Sequence, residues 1–486
     1  MVMIAETMPR ISTVRKAVLP LFLVSGATGL IYEITWTRVF GVVFGNTVFA
    51  VSTVLTGFML GLALGSWLLG RIADKSSHPL KLYAFLELGI GAYALLFPTI
   101  IAGTDVFYRW FFRSFHPTFY PMSLARFVLS MAILILPTAL MGGTLPVLSK
   151  LWANPSRKKS SEPHVGQSVG LLYAINTFGA VTGSFLAGYI LMRVLGVRNT
   201  IYLAASANVV VGALAFILSR YSGHRQVAMA PGDSTAKRAL REGRHSRKSR
   251  RASEVPKELK KKRLIVLAAV GLAGSCALAL EVLWTRVLVF VLETTVYAFA
   301  SMLTCFLLGI ALGSFLCSRL LVGKMKNPVL ALGVVEFLVA LSVLASVPVL
   351  GKLWHIDYVL TWKLRASGFW KEVMAHFVDA SVVVLIPTML MGAAFPIAVK
   401  ACTQSWKAVG RRVGEVYAFN TLGCVIGSFA AGFVMVPLLG LRDSFLVVAG
   451  IQLFLGVALF FFSERRRAVL GAPAAVVSLV LIVIGV

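Results

Sequence analysis

Two glutamates carry the most suggestive chemistry in this sequence. Glu33 lies in Glu33-Ile-Thr-Trp36-Thr37-Arg38 and Glu281 in Glu281-Val-Leu-Trp284-Thr285-Arg286, each deep within a long apolar stretch. A carboxylate in the middle of such a stretch costs roughly 2.5–3.5 kcal/mol to insert into a bilayer, so it turns toward protein or water. Two readings follow: a cation or proton site, or one half of a structural ion pair. Arg38 and Arg286 are the nearest cations along the chain. A spacing of five residues turns a helix by about 500°, which leaves each Glu and its Arg about 140° apart. Partners for Glu33 and Glu281 are therefore expected from other helices.

Two amides form a second candidate pair. Tyr173, Asn176, Gly179 and Gly183 share one helical face, as do Tyr417, Asn420, Gly423 and Gly427. Asn176 and Asn420 fall near mid-bilayer. They either line a cavity and bind substrate or hydrogen-bond between helices beside a small-residue contact. Gly61 and Gly65, repeated as Gly309 and Gly313, read as close helix packing. Pro137, Pro146, Pro387 and Pro396 interrupt the backbone ladder, as a hinge or as a packed kink. No P-loop, HExxH or GxGxxG stretch occurs, and the five cysteines form no CxxC pair. No catalytic residue, metal or cofactor is expected, and enzymatic activity of this chain alone is not.

The elements that must hold these groups are helices. Hydrophobic residues make up 58% of the 486 positions and mean hydropathy is +0.85, an excess that calls for a second apolar solvent. The apolar runs are continuous, and a lipid-facing backbone must satisfy its own hydrogen bonds. Thirteen spans are expected, at 17–40, 47–70, 80–102, 123–149, 166–192, 199–220, 264–291, 296–318, 328–350, 374–399, 412–437, 443–463 and 468–486. The aromatic-rich stretches 103–122 and 351–373 are expected to lie along the membrane interface. The net charge of +28 sits in alternate loops, so it reads as a topology signal and not as a nucleic-acid surface. It places the N-terminus and the basic stretch 221–263 in the cytoplasm, within the inner membrane of a bacterial cell.

The chain also repeats itself at about 245–250 residues. Besides the Glu–Trp–Arg motif, Gly61-Leu-Ala-Leu-Gly65-Ser66 returns as Gly309-Ile-Ala-Leu-Gly313-Ser314. Pro137 to Pro146 returns as Pro387 to Pro396, and Tyr173-Ala-Ile-Asn176-Thr177 as Tyr417-Ala-Phe-Asn420-Thr421. The expected architecture is all-α and polytopic, with two parallel six-helix repeats plus an extra C-terminal transmembrane helix. Residues 1–220 form the first repeat, 221–263 a cytoplasmic linker, 264–463 the second repeat and 464–486 the added segment. Parallel six-helix halves are how major facilitator transporters are built.

Taken together, Gly26 to Arg38, the Gly61–Ser66 stretch, Pro137 to Pro146, Gly170 to Arg198 and their second copies resemble the membrane part of fused major facilitator/spermidine synthase-like proteins. In that family the resemblance implies a soluble aminopropyltransferase-like domain after the bundle, and residues 1–486 contain none. What the resemblance leaves is a transporter-like bundle in a lipid bilayer, with a polyamine or related small cation as substrate. The alternative is a membrane anchor for a separate aminopropyltransferase-like partner.

Overall fold

The computed structural model describes residues 7–44, 47–116, 118–152, 165–223, 257–292, 295–363, 368–403 and 408–463. Every regular element among them is helical. Helices α1 (Thr7–Phe44), α2 (Thr47–Lys75), α3 (Pro79–Phe115), α4 (Phe119–Trp152), α5 (Val165–Leu186) and α6 (Met192–Gly223) make up the first half of the chain. The second half contains α7 (Lys257–Leu292), α8 (Thr295–Leu316), α9 (Pro328–Gly351), the short α10 (Leu353–Lys363), α11 (Phe369–Cys402), α12 (Val409–Phe429) and α13 (Val436–Phe462). Three π-helical turns extend α5, α8 and α12, at Ala187–Leu191, Cys317–Leu321 and Ala430–Met435. The proposed span 468–486 lies outside the described residues.

Among the described residues, ten segments are long and apolar enough to cross a membrane. Two of them, Val165–Arg220 and Val409–Phe462, hold 56 and 54 residues. At 1.5 Å per residue either would run about 80 Å if straight, far beyond a bilayer. Both reverse direction at a glycine with left-handed φ, Gly196 (φ 74°) and Gly440 (φ 76°), a conformation closed to most other residues. Residues 103–115 depart from the interfacial loop expected of them. They continue α3 without a break, because scattered charges do not interrupt the i to i+4 ladder.

The packing recurs from one half to the other. In the first half α1 packs on α5, α2 on α4 and α3 on α6; in the second, α7 packs on α12, α8 on α11 and α9 on α13. Glycines set the closest of these approaches. A methyl group on Gly65 would collide with the Ala139 backbone, and one on Gly313 with the Met389 backbone. Gly61 meets Thr138, and Gly309 meets Thr388, in the same way. Gly61, Gly65, Gly309 and Gly313 thus all sit at backbone-to-backbone crossings. The prolines do not break α4 or α11. Pro137 removes the donor that would satisfy the Ile133 carbonyl, and the Tyr93 hydroxyl supplies it instead at 2.7 Å.

The halves meet along two seams, α2 against α12 and α5 against α8. Two apolar clusters cross these seams. One holds Phe22, Tyr83, Leu148, Phe395 and Val413 toward the face where α1 begins, here the near face. The other holds Trp36, Phe58, Phe97, Trp284 and Phe445 toward the opposite, far face. Polar residues of α1, α5, α7 and α12 lie between them.

Candidate functional site

Glu33 and Glu281 occupy that middle layer, 4% and 5% exposed. Their position follows from the helices that carry them. Trp36, one turn beyond Glu33, is buried by stacking on Tyr32 and Phe97 (5.1 and 4.7 Å between centroids). Trp284 is buried against Phe306 and Phe445. These anchors fix the rotation of α1 and α7 and turn each glutamate inward. The two carboxylates interact electrostatically across the interface between the halves. Tyr417 of α12 lies within the field of Glu33, and Cys424, about two turns further, within that of Glu281. Tyr173, Phe395 and Tyr417 close the layer on the near side, with centroids 4.4 and 6.1 Å apart. Among the described residues neither glutamate has a hydrogen-bond or ion-pair partner.

The other candidate residues divide. Asn176 packs where α5 crosses α1 at Gly26, and Asn420 where α12 crosses α7 at Gly274. Asn176 also lines a cavity of about 90 Å³ with Ser25, Gly29, Tyr173, Asn208 and Tyr417. The Asn420 amide nitrogen is instead 3.9 Å from the Cys424 Sγ. Arg38 and Arg286 do not join the glutamates. Arg38 is exposed at the far face, and Arg286 is half-buried.

Glu87 and Glu336 occupy corresponding places in α3 and α9, and their surroundings differ in a way that no spacing in the sequence shows. The buried Glu87 accepts from Ser25 Oγ and Asn208 Nδ2, both at 2.6 Å, and Asn208 Oδ1 accepts from Tyr32 Oη at 2.8 Å. This network ties α1, α3 and α6 together. In the second half the corresponding positions hold Ala273, Leu280 and Gln452. Glu336 is equally buried, has no hydrogen bond among the described residues and lies near Cys276. Gln452 Oε1 is buried without a partner.

At the near face the α2–α12 seam is closed by Asp74. Its two oxygens accept from the backbone N–H of Gly410 and of Arg411, each at 2.9 Å, and Lys150 Nζ approaches to 3.6 Å. Asp74 therefore caps the first turn of α12 from across the interface. The other seam is organised differently. Lys400 Nζ donates to the Val322 and Met325 carbonyls within its own half, and Ser314 Oγ donates to the Gly170 carbonyl across the seam. Toward the far face this same seam is held by Tyr189, which stacks on Tyr297 at 5.4 Å and hydrogen-bonds Ser301, and by Ser184 with Thr304. Glu415 is enclosed by Arg263, Arg411 and Arg412 at 3.2, 3.8 and 3.0 Å, so this unmatched carboxylate is neutralised at the near face. Groups of three or more metal-ligating side chains do not occur among the described residues.

The fold is a helical membrane bundle of two similarly packed halves with buried carboxylates between them. The family model of the Major Facilitator Superfamily matches residues 17–382, three quarters of the chain, and the chain belongs to that superfamily. Among solved structures, the human organic anion transporter MFSD10 (TETRAN) is similar in fold. It aligns with a TM-score of 0.52 at 14% identity, over 93% of this chain and 99% of that one. No curated protein sequence matches the chain. The match is to the transporter superfamily as a whole; nothing in it supports the synthase-fused branch that the helix motifs suggested.

Proposed function

We propose that this protein carries small organic cations, in exchange for or together with protons, through a site shared by Glu33 and Glu281. The observation that carries the reading is the unpaired state of these two buried carboxylates. Leaving an isolated ion in a low-dielectric interior costs several kcal/mol, and two facing carboxylates repel each other besides. A cation between them, or a proton on one of them, relieves both costs. Among the described residues no cationic side chain pairs with either glutamate, so the compensating charge is free to be the cargo. Residues 1–220 and 264–463 would act as the two moving six-helix repeats around this layer, with 221–263 as their linker.

Among organic cations, polyamines fit two separated carboxylates, and the motif resemblance to synthase-fused proteins points the same way. The test is uptake of labelled putrescine and spermidine into proteoliposomes, with and without a pH gradient. Uptake that saturates and falls at least tenfold in Glu33→Gln/Glu281→Gln supports the reading. Uptake unchanged by the double substitution removes the glutamates from the mechanism. Transport of a labelled organic anion with no cation uptake would replace the reading altogether.

A further inference from the structure

A second cavity lies beyond the glutamates, toward the far face, and neither Glu33 nor Glu281 lines it. It opens at the far face of the first half, measures about 840 Å³ and is lined by Arg38 of α1, Tyr108 and Arg109 of α3, Arg126 of α4, and the apolar Val39, Val42, Ile101 and Val197. Three guanidinium groups thus share one cavity; Arg109 has an interaction of its own, while Arg38 and Arg126 have no ion-pair partner among the described residues. Arg126 is half-buried beneath Tyr108, its Cζ 5.9 Å from the ring centre, and its Nε is buried with no hydrogen-bond acceptor. Burying a donor on a cation without an acceptor costs about 1–3 kcal/mol or more, so the arrangement calls for an anion. The fold does not impose this charge. In the second half Arg38 recurs as Arg286, but Arg126 is matched by His376, and the carboxyls of Asp357 and Asp379 interact with each other.

The surroundings indicate the kind of anion. Along the exposed end of α3, Phe107, Trp110, Phe112 and Phe115 face outward, 37–63% exposed, as aromatic rings do at the headgroup level of a bilayer. Phosphate offers several oxygens to the planar forks of arginine, which bind it bidentately. We propose that the pocket of Arg38, Arg109 and Arg126 binds a phosphate-bearing anion. The apolar walls provide for the glycerol portion of an anionic phospholipid, and the same guanidinium groups would hold free phosphate.

Two arms separate these sources. In the first, delipidated protein is offered equal amounts of phosphatidylglycerol and phosphatidylcholine, and bound lipid is read by native mass spectrometry. In the second, protein in phosphatidylcholine nanodiscs is dialysed against radiolabelled inorganic phosphate. A preference for phosphatidylglycerol that falls about tenfold in Arg38→Gln/Arg126→Gln identifies a lipid site; that factor corresponds to one charge-assisted hydrogen bond. Saturable phosphate binding lost in the same variant, without lipid preference, identifies a free-anion site. Arg38→Gln alone, at the exposed rim, keeps the test valid if the double variant fails to fold, with a smaller loss expected. Arg38→Lys/Arg126→Lys should retain part of the binding, since charge survives and the fork does not. Equal binding by wild type and by folded variants in both arms overturns the proposal.

Discussion

Replacing Asp74 with alanine should open the near face without unfolding the protein. The Asp74 carboxylate accepts two backbone hydrogen bonds at 2.9 Å from the first turn of α12, on the opposite half of the chain. Hydrogen bonds to a charged group contribute about 1.5–3 kcal/mol each in buried settings, and loss of a helix N-cap costs about 0.5–2 kcal/mol. The Asp74 side chain is 14% exposed, and Lys150 remains to screen the site. About 2 kcal/mol is therefore the appropriate magnitude for the pair, or roughly a thirtyfold change in an equilibrium. The contact joins the two halves and exists only while the near face is closed, so its loss acts on the balance of conformations. If the open form holds about 1% of the wild-type protein, Asp74→Ala raises it to about a quarter. Double electron–electron resonance reads this directly from spin labels on cysteines introduced at the exposed Lys75 and Lys262; the five native thiols are buried. A longer-distance population should appear in Asp74→Ala and be about half as large in Asp74→Asn, whose amide keeps one acceptor. Identical distance distributions in wild type and Asp74→Ala, with only thermal stability lowered, would refute the assignment of Asp74 to the gate.

Two further substitutions separate partnered groups from unpartnered ones. Glu87→Leu strands the Ser25 hydroxyl and the Asn208 amide and should cost about 3–5 kcal/mol, whereas Glu336→Leu should be neutral or stabilising; melting of the purified variants by differential scanning fluorimetry compares them, and equal losses would contradict the difference in pairing. Gly65→Leu and Gly313→Leu should each destabilise by about 1–3 kcal/mol or more through collision with the α4 and α11 backbones, while Gly103→Ala, with nothing within 4 Å of its added carbon, should leave the melting temperature unchanged.

Much of the fold was legible because a bilayer leaves the backbone few choices. Each apolar run had to be a helix; of the thirteen expected, the described residues hold ten candidate spans, two of them each joining two expected runs at a glycine, and the thirteenth lies outside the described residues. The reversals at Gly196 and Gly440 fell between adjacent apolar runs, where a glycine was already in place. The outer end of α3 was misread, since the aromatic residues around Asp105, Arg109 and Arg113 mark an interface without marking a helix end. Among site residues, Glu33 and Glu281 announced themselves as carboxylates in apolar surroundings. The Glu87 network did not, because Ser25 and Asn208 lie 62 and 121 positions from it and reach it only through the packing of three helices. Asp74 was harder still: its partners are backbone amides 336 and 337 positions away, which no side-chain pattern encodes. The likeness to synthase-fused proteins rested entirely on bundle motifs. Such motifs report how helices pack, and that information is shared across the wider superfamily.

The π turn in α8 records an event in the history of the chain. Gly65 and Gly313 are separated by 248 positions, whereas Lys75 and Lys324, at the ends of the corresponding segments, are separated by 249. The second copy therefore holds one residue more than the first between those markers, and Cys317–Leu321 is where the helix widens to hold it. The turns at Ala187–Leu191 and Ala430–Met435 tell the complementary story. Asn176 and Asn420 before them, and Asn208 and Gln452 after them, are both 244 apart, so the wide turn there is common to the two copies and older than their divergence. An insertion within a transmembrane helix would rotate everything beyond it by about 100° if the α-helical winding continued. A local change of winding absorbs the extra residue within one turn, before the chain leaves α8 for the connection at 325–327.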